Sequence, residues 1–179
     1  MKSKISNLSL ITSKPTIYAA NISEDDLLTN NNHQALKTRE YANKNNCEYI
    51  QLCGKIEMEI SRLDNEDKDD FLAMYSLKDS ALNMLIKSSY KLLGLQTFFT
   101  AGEKEIRAWT INSGFTAPEA AGVIHSDFQK GFIKAETYNL QDLITYKSEE
   151  AVKSAGKIRL EGKNYTVSEG DIIFFKFNV

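Results

Sequence analysis

The sequence contains few of the residues that build metal sites and disulfide frameworks. It has two cysteines and two histidines among 179 residues. Cys47 and Cys53 lie in a segment that we predict to be a strand, where a rise of about 3.3 Å per residue separates them by about 20 Å, too far for a disulfide. His33 and His125 lie far apart in the chain, so no zinc-binding spacing can be assembled. We therefore expect reduced thiols and no bound metal ion.

Long apolar runs and an excess of one charge are also missing. No stretch approaches the roughly 18 apolar residues that span a bilayer, and the segment that begins at Met1 lacks the apolar core of a secretory signal. The 22 basic and 24 acidic residues give a formal charge of −2. We predict a cytoplasmic protein without a membrane partner, in which any contact with RNA depends on a local basic patch.

Glycine is scarce in the first half of the chain. Gly54 is the one glycine before Gly94, and the other eight of the nine lie at or after that position. With 42% hydrophobic residues, the chain can bury a core in two small units. We predict a first unit over residues 1–63, a connecting helix over 64–93 and a second unit over 94–179.

Strand and helix signals alternate in the first unit. An apolar run over residues 15–21 predicts a strand, and Ser23 predicts the N-cap of a helix that begins near Glu24. We expect this helix to break at the asparagine run 30–32 and to resume over 33–44. The strand and the helices after it are the first part of a parallel α/β pattern.

The second strand of this pattern is predicted over residues 49–53, with Gly54 as the turn that follows it. In parallel α/β sheets, ligands bind at the carboxyl ends of the strands. The pattern therefore predicts that the loops Asn21–Glu24 and Cys53–Glu57 lie at a ligand site.

An acidic run over Asp64–Asp70 precedes the connecting segment. We interpret it as a solvated helix start rather than a metal site, because it lacks the glycine and the terminal glutamate of a calcium loop. Apolar residues at helical spacing then predict a helix from about Asp69 to Leu93, which Gly94 ends as a C′ residue.

The second unit has the spacing of a small mixed sheet of the ubiquitin-like kind. Runs over 95–100 and 105–111, joined through 101–104, predict a hairpin. Thr116 and Glu119 form a capping-box pattern, with Pro118 in the first turn of a helix that reaches His125 and continues toward Lys130. Three further strands are predicted near 132–138, 157–160 and 172–177.

Specific segments carry a family resemblance over nearly the whole chain. They lie in the second unit, at Leu93–Ile111, Ala117–Glu136 and Gly156–Val179, and in the first unit, at Lys14–Glu24 and Cys53–Ile60. The second unit resembles the TGS domain of the YchF subfamily of Obg-related P-loop NTPases, which are ribosome-binding ATPases. The first unit resembles that family's base-recognition strand and the following nucleotide-site loop.

The resemblance implies a fold in two parts. It implies an α/β partial P-loop nucleotide domain, its carboxyl-terminal part, followed by an α+β β-grasp TGS domain. No Gly-x-x-x-x-Gly-Lys-[Ser/Thr] motif occurs in the 179 residues, and no Asp-x-x-Gly switch motif precedes Asn21. Since this chemistry depends on the phosphate-binding loop, we predict no catalytic residue and no ATPase activity in this chain alone.

The base-recognition loop carries a chemical argument. Most GTPases have Asn-Lys-x-Asp here, because the aspartate accepts hydrogen bonds from N1–H and the N2 amino group of guanine. This sequence has an apolar residue at Ile22 and a longer acid at Glu24, so a guanine clamp is not evident. As an isolated pattern, Asn-x-x-Glu is more often a helix cap, and the alternative for Glu24 is a side chain that faces solvent at the helix start.

Within the family, the resemblance implies a preference for ATP. It implies that the base is contacted by two groups of residues, namely Asn21, Ile22 and Glu24, and Cys53, Gly54 and Lys55. It also implies ATP and Mg²⁺ as ligands of full-length members. We expect this chain to bind ATP weakly or not at all, and to pair with the missing amino-terminal half.

Basic residues of the second unit suggest contacts with the ribosome or its RNA. Strand alternation predicts that they converge on one face of the sheet, and a mixed solvated surface is an equal alternative. The set comprises Arg107, Lys130, Lys134 and Arg159, with Lys157 and Lys163 nearby in the sequence.

Three hypotheses follow for the function. The first is the carboxyl-terminal part of a YchF-like, ribosome-binding, ATP-hydrolysing translation factor. The second is a stand-alone TGS-type module that binds ribosomes or RNA. The third is a non-functional product of a split gene.

Overall fold

The computed structural model describes residues 10–29, 31–102 and 105–178, and the chain divides into two compact units between Leu93 and Gly94. The start of the chain at Met1, Asn30 of the predicted helix break, and Glu103 and Lys104 of the predicted hairpin turn lie outside the described residues. None of the described helices is long and apolar enough to cross a membrane.

The first unit begins as the strand–helix–strand pattern that the sequence predicts. After a short 3-10 turn, its elements are β1 Ile17–Asn21, α1 Glu24–Thr29, α2 His33–Lys44, β2 Glu48–Leu52 and α3 Gly54–Ile60. The two strands pair in parallel, from Ile17 opposite Glu48 to Asn21 opposite Leu52. Both strands therefore end at the same edge of the sheet. The Ser23 hydroxyl accepts the Asp26 N–H at 3.2 Å, which confirms the predicted cap of α1.

The two cysteines flank β2 rather than lying within it. Cys47 precedes the strand and Cys53 follows it as the residue before α3, and both thiols are free. Strand β2 begins one residue earlier and ends one residue earlier than predicted. Cys53 is instead the N-cap residue of α3, with φ −118° and ψ 109°.

The predicted single helix over the connecting segment is wrong. Two helices form instead, α4 Asn65–Met74 and α5 Ala81–Leu93. The chain leaves α4 through Ser76, whose φ of 54° is left-handed and ends a right-handed helix. A new helix start follows, where the Ser80 hydroxyl accepts the Asn83 N–H at 3.1 Å. The acidic run lies at the start of α4, with Glu66 and Asp67 in its first turn.

The second unit is a five-stranded mixed sheet with helices on both faces. Its elements are β3 Leu95–Ala101, β4 Ile106–Asn112, α6 Ala117–Ile124, α7 Ser126–Lys130, β5 Phe132–Asn139, α8 Leu140–Tyr146, α9 Glu149–Ser154, β6 Arg159–Glu161 and β7 Asp171–Phe177. The strand order is β4-β3-β7-β5-β6, in which β3 and β7 are parallel and the other pairs are antiparallel.

The main core of the second unit lies between one face of this sheet and α6. Three alanines of α6 are fully buried and let the helix approach large side chains of the strands. These side chains are Phe98, Ile111, Phe132, Ile173 and Phe175. On the opposite face, Tyr138 and Ile172 pack with Val152 of α9 in a smaller cluster. The sequence analysis did not predict α8 and α9.

The helix predicted to continue to Lys130 is interrupted at His125. This residue has extended backbone angles (φ −159°, ψ 141°), and its ring nitrogen Nδ1 accepts the Asp127 N–H at 3.2 Å, which starts α7. The predicted cap at Thr116 is confirmed. The Glu119 carboxylate accepts the Thr116 backbone N–H and the Thr116 hydroxyl, each at 2.7 Å.

Candidate functional site

The two loops predicted to carry the site meet at the carboxyl ends of β1 and β2. The side-chain oxygen Oδ1 of Asn21 accepts the backbone N–H of Gly54 at 3.0 Å. The N–H of Ile22 donates to the carbonyl of Leu52 at 2.9 Å, which extends the strand pairing by one bond. A Cβ on Gly54 would lie 3.6 Å from Asn21 Oδ1, in ordinary contact. The Asn21 amide therefore joins the two loops directly.

Glu24 is held by residues from two other elements, and we call Glu24, Lys55 and Tyr75 the carboxylate cluster. Its Oε2 lies 2.7 Å from Lys55 Nζ at the start of α3. Its Oε1 accepts the Tyr75 hydroxyl at 2.8 Å. Both oxygens thus have a strong donor, and the cluster joins α1, α3 and the end of α4.

The ionisation of the carboxylate cluster follows from these bonds. The hydrogen bond from Lys55 holds the pKa of Glu24 below its ordinary value, and the Tyr75 hydroxyl acts in the same direction. The same bonds to Glu24 raise the pKa of Lys55 and the pKa of Tyr75. Near neutral pH the cluster is therefore a carboxylate, an ammonium and a neutral phenol.

The structure brings all six predicted base-site residues to one edge, but their side chains differ in access. Ile22 is 8% exposed and Cys53 is 4% exposed. Cys53 packs with Ile56 and Ile60 in the core of the first unit. The polar groups at the edge are those of Asn21, Glu24 and Lys55, together with the Gly54 backbone.

Tyr75 is the member of this arrangement that sequence reasoning missed. It lies 51 residues after Glu24 in the chain, in a segment predicted to be continuous helix. Its ring packs beside that of Phe71, with centroids 5.3 Å apart. No local motif marks it, because its partner is brought close only by the packing of α4.

A groove in the first unit reaches the carboxylate cluster only through Tyr75. It has a volume of about 670 Å³ and is lined by residues including Leu27, Tyr49, Gln51, Leu77 and Met84. None of the six predicted base-site residues lines it. Among the described residues, no group of three or more histidine, cysteine, aspartate or glutamate side chains is arranged to hold a metal ion.

The predicted convergence of basic residues in the second unit is wrong. Arg107 lies on β4 and Arg159 on β6, which are the two opposite edges of the sheet. Four strand spacings separate them, about 19 Å. Lys134 lies on β5 opposite Lys176, one residue before the buried Ala135, and therefore faces away from α6. Alternation within one strand gives neither the order of the strands nor the face that a residue of another strand presents.

Arg159 is fixed by a buried acid. Its Nη2 donates to Asp171 Oδ1 at 3.3 Å and to the Tyr165 hydroxyl at 3.0 Å. Asp171 is fully buried, and its Oδ2 accepts the Tyr165 hydroxyl at 2.6 Å and the Ser168 N–H at 2.9 Å. Arg159 therefore completes a structural hydrogen-bond network that ties β6 to the start of β7.

The other three basic residues have different surroundings. The Arg107 guanidinium stacks over the Trp109 ring, 4.2 Å from its centroid. Lys130 is the last residue of α7 and is exposed, as is Lys134. Lys130 and Lys134 are therefore the members of the set most accessible to a phosphate backbone.

The fold is that of an α/β protein whose polar loops lie at the carboxyl ends of a parallel strand pair, the edge at which ligands generally bind in such sheets. A profile of the YchF-GTPase_C family, described as a protein of unknown function (DUF933), matches residues 95–178. The chain is 52% identical to the ribosome-binding ATPase YchF of Bacillus subtilis, over 98% of its own length and 48% of that protein. It is 49% identical to the ribosome-binding ATPase YchF of Pasteurella multocida, over 98% of its length and 48% of that protein.

Two solved structures match the chain over nearly its whole length. The YchF GTPase of Schizosaccharomyces pombe superposes with a TM-score of 0.82 at 37% identity, over 97% of this chain and 46% of that one. A GTP-binding protein of Pyrococcus horikoshii shares the fold, with a TM-score of 0.62 at 16% identity, over 93% of this chain and 46% of that one. The chain belongs to the YchF family and matches the carboxyl-terminal half of its members. It spans about half the length of the curated relatives that it matches.

Proposed function

We propose that this chain acts as the carboxyl-terminal part of a YchF-like, ribosome-binding, ATP-hydrolysing translation factor in the cytoplasm. Its first unit supplies the base-contacting edge of the nucleotide site, and its second unit supplies a docking surface. The observation that carries this proposal is the bond from the Gly54 N–H to Asn21, which joins the two loops at the carboxyl ends of parallel strands. The curated relatives are named ribosome-binding ATPases.

Within this proposal, residues 1–63 are part of the nucleotide domain, 64–93 connect the units, and 94–179 are the TGS domain. The strand order β4-β3-β7-β5-β6 supports the last assignment. In it, the first and last strands of the unit lie parallel at the centre and α6 crosses one face, as in a β-grasp fold.

The residues present fit the base of ATP and not its phosphates. The Asn21 side-chain amide offers a polar group of the kind that contacts a purine edge. The 179 residues contain no Gly-x-x-x-x-Gly-Lys-[Ser/Thr] motif to hold phosphates and Mg²⁺. We therefore expect no ATPase activity from the purified chain alone, and magnesium-dependent hydrolysis that follows the protein through purification would contradict this.

Ribosome docking is the second part of the proposal, and Lys130 and Lys134 are its best-exposed candidates. Reversing both charges, in Lys130→Glu with Lys134→Glu, should reduce co-sedimentation with ribosomes and weaken its salt dependence. Lys153→Glu, an exposed position on α9, is the matched control and should pellet like the wild type. Equal pelleting of both variants would exclude these two lysines from the interface.

The same experiment distinguishes the other two hypotheses. If the chain contacts no nucleotide, and Asn21→Ala leaves its pelleting with ribosomes unchanged, the result would favour a stand-alone TGS-type module. The complete absence of pelleting and of nucleotide contact would favour a product without a retained function.

A further inference from the structure

We propose that Lys55 and Tyr75 select against guanine by holding the Glu24 carboxylate away from the base. This inference rests on the proposed nucleotide site and deepens it, because it assigns the choice of base to a contact network rather than to the loop sequence. Lys55 and Tyr75 are positioning residues here, since they act on the base through Glu24.

Guanine requires two acceptors from a residue that reads its edge. An acid that reads guanine accepts N1–H with one oxygen and the N2 amino group with the other, so both oxygens must face the base edge. Glu24 lies three residues after Asn21, at the position where an aspartate performs this task in a guanine clamp. Its chemistry alone would therefore allow it to accept the same two donors.

The carboxylate cluster removes that freedom. Oε2 of Glu24 is 2.7 Å from Lys55 Nζ, and Oε1 is 2.8 Å from the Tyr75 hydroxyl. To turn both oxygens toward the edge of guanine, the Glu24 carboxylate would have to move away from Lys55 and Tyr75, which breaks two hydrogen bonds, one of them charge-assisted. Adenine presents an acceptor at N1 and a single donor group at N6, so it has no pair of donors for the two oxygens, and the cost falls mainly on guanine.

Tyr75 is well supported in this role. Its ring packs against the small core around Cys53 and Ile56, next to Phe71. The left-handed residue Ser76 follows it and turns the chain away, which fixes Tyr75 at the end of α4. The Glu24 side chain is 31% exposed and that of Lys55 is 64% exposed, so the Tyr75 hydroxyl is the partner that the packing of the first unit holds in place.

The test is a comparison of ATP and GTP binding by the whole 179-residue chain, without Mg²⁺, followed by ¹⁵N NMR shifts of Asn21 and Gly54. The wild type should favour ATP. Tyr75→Phe frees one oxygen of Glu24, and Lys55→Met with Tyr75→Phe frees both. The ratio of GTP to ATP affinity should rise by about tenfold in the double variant and by less in the single one.

Matched controls remove similar contacts elsewhere in the first unit. Lys87 makes an ion pair of the same 2.7 Å length with Asp79, and the Tyr49 hydroxyl donates to Gln51 at 3.1 Å. Lys87→Met and Tyr49→Phe should leave the ratio unchanged. The ¹³C shift of the Glu24 carboxyl carbon should move in Tyr75→Phe and not in either control, which reports release of the carboxylate independently of binding.

The outcomes separate the two proposals. An unchanged ratio in a folded Tyr75→Phe protein whose Glu24 signal has moved would overturn the selection role while leaving the nucleotide site in place. Loss of both nucleotides without a change in ratio would also overturn it, because the cluster would then be part of the binding surface. A wild type in which neither nucleotide moves Asn21 or Gly54 would contradict the proposed site and this inference with it.

Discussion

Asp171 is a buried ionisable residue with a complete set of partners. Its two oxygens accept from Tyr165, Ser168 and Arg159, and the network joins β6, the following loop and β7. Burial, followed by the bond to Asp171, raises the pKa of the Tyr165 hydroxyl. Arg159, which the sequence suggested as a contact for RNA, is thus better explained as part of this network.

We predict that Asp171→Asn lowers the free energy of unfolding of the second unit by about 2 kcal/mol, because a buried charged acceptor of several bonds is lost. Arg159→Met should cost less, about 1 kcal/mol or below, since its side chain is 48% exposed. Urea denaturation followed by Trp109 fluorescence measures both. A smaller effect at Asp171 than at Arg159 would contradict this account of the network.

We predict that the Glu119 carboxylate makes the stability of the second unit depend on pH. The bonds from the backbone N–H and then the hydroxyl of Thr116 hold the pKa of Glu119 below its ordinary value of 4.5. A carboxylate with a depressed folded-state pKa stabilises the fold fully above 4.5, and this contribution disappears as the pH falls through the folded-state pKa. Glu119→Gln keeps an acceptor for the cap but does not titrate.

Denaturation of the second unit from about pH 6 down to about pH 3 should therefore show a shallower loss of stability for Glu119→Gln than for the wild type. Glu105→Gln is a suitable control, because this exposed acid lies in the same unit and outside the cap. Identical slopes for the wild type and Glu119→Gln would show that the cap does not contribute at acid pH.

At the scale of elements, helix starts were predictable and helix interruptions were not. Ser23 and Thr116 mark helix starts through side-chain caps that are visible in the sequence. The break at Ser76 is a left-handed residue, and the break at His125 is an ordinary extended residue between two helices; neither position carries a glycine or a proline that would mark it in the sequence. Helices α8 and α9 are short and lack a clear apolar stripe, so their formation depends on packing against the sheet.

Gly131 lies where the segment before β5 comes close to the end of β7. A Cβ at this position would collide with the backbone carbonyl of Asn178, which follows β7. Asn178 also donates its N–H to the Gly131 carbonyl at 2.9 Å, so the backbone cannot move away without breaking that bond. Gly131→Ala should therefore destabilise the second unit by about 1–3 kcal/mol.

Gly162→Ala is the matched control for this substitution, since nothing lies within 4 Å of a Cβ built there. It should change the free energy of unfolding by less than about 0.5 kcal/mol. Thermal denaturation of the two variants measures the difference. Equal midpoints would mean that the end of β7 adjusts at little cost.

At the scale of the whole molecule, the two units have unequal cores. The main core of the second unit contains ten buried residues, whereas the named cluster of the first unit contains Cys53, Ile56 and Ile60. Strands β1 and β2 form a sheet of two parallel strands, an arrangement that is normally buried within a larger sheet. We therefore expect the first unit to be the less stable of the two.

Amide hydrogen exchange tests this difference. The amides of β1 and β2 should exchange faster than those of β3, β5 and β7, because local opening costs less where few apolar contacts are lost. Exchange followed by mass spectrometry on a monomeric sample measures it. Uniformly slow exchange in both units would contradict an incomplete first sheet.

The position of the two site loops could be predicted from the sequence, because it follows from the same strand pattern as the fold. Asn21 and Gly54 follow predicted strands, and parallel strands bring their ends together, so their proximity follows from the pattern. Tyr75 does not follow from it, because its contact with Glu24 depends on where α4 ends. The proposal of a nucleotide as the ligand comes from the family resemblance, because the residue pattern alone does not indicate one.

The most direct test of the central claim is photo-crosslinking of the wild-type chain with 8-azido-ATP, followed by mapping of the modified peptides. We predict crosslinks in the peptides that contain Asn21–Glu24 and Cys53–Lys55, with competition by ATP that exceeds competition by GTP. Asn21→Ala should reduce both crosslinks together, because that side chain joins the two loops. Crosslinks that avoid both loops, or that do not exceed those of a denatured sample, would contradict the assignment of this edge as a base-binding site.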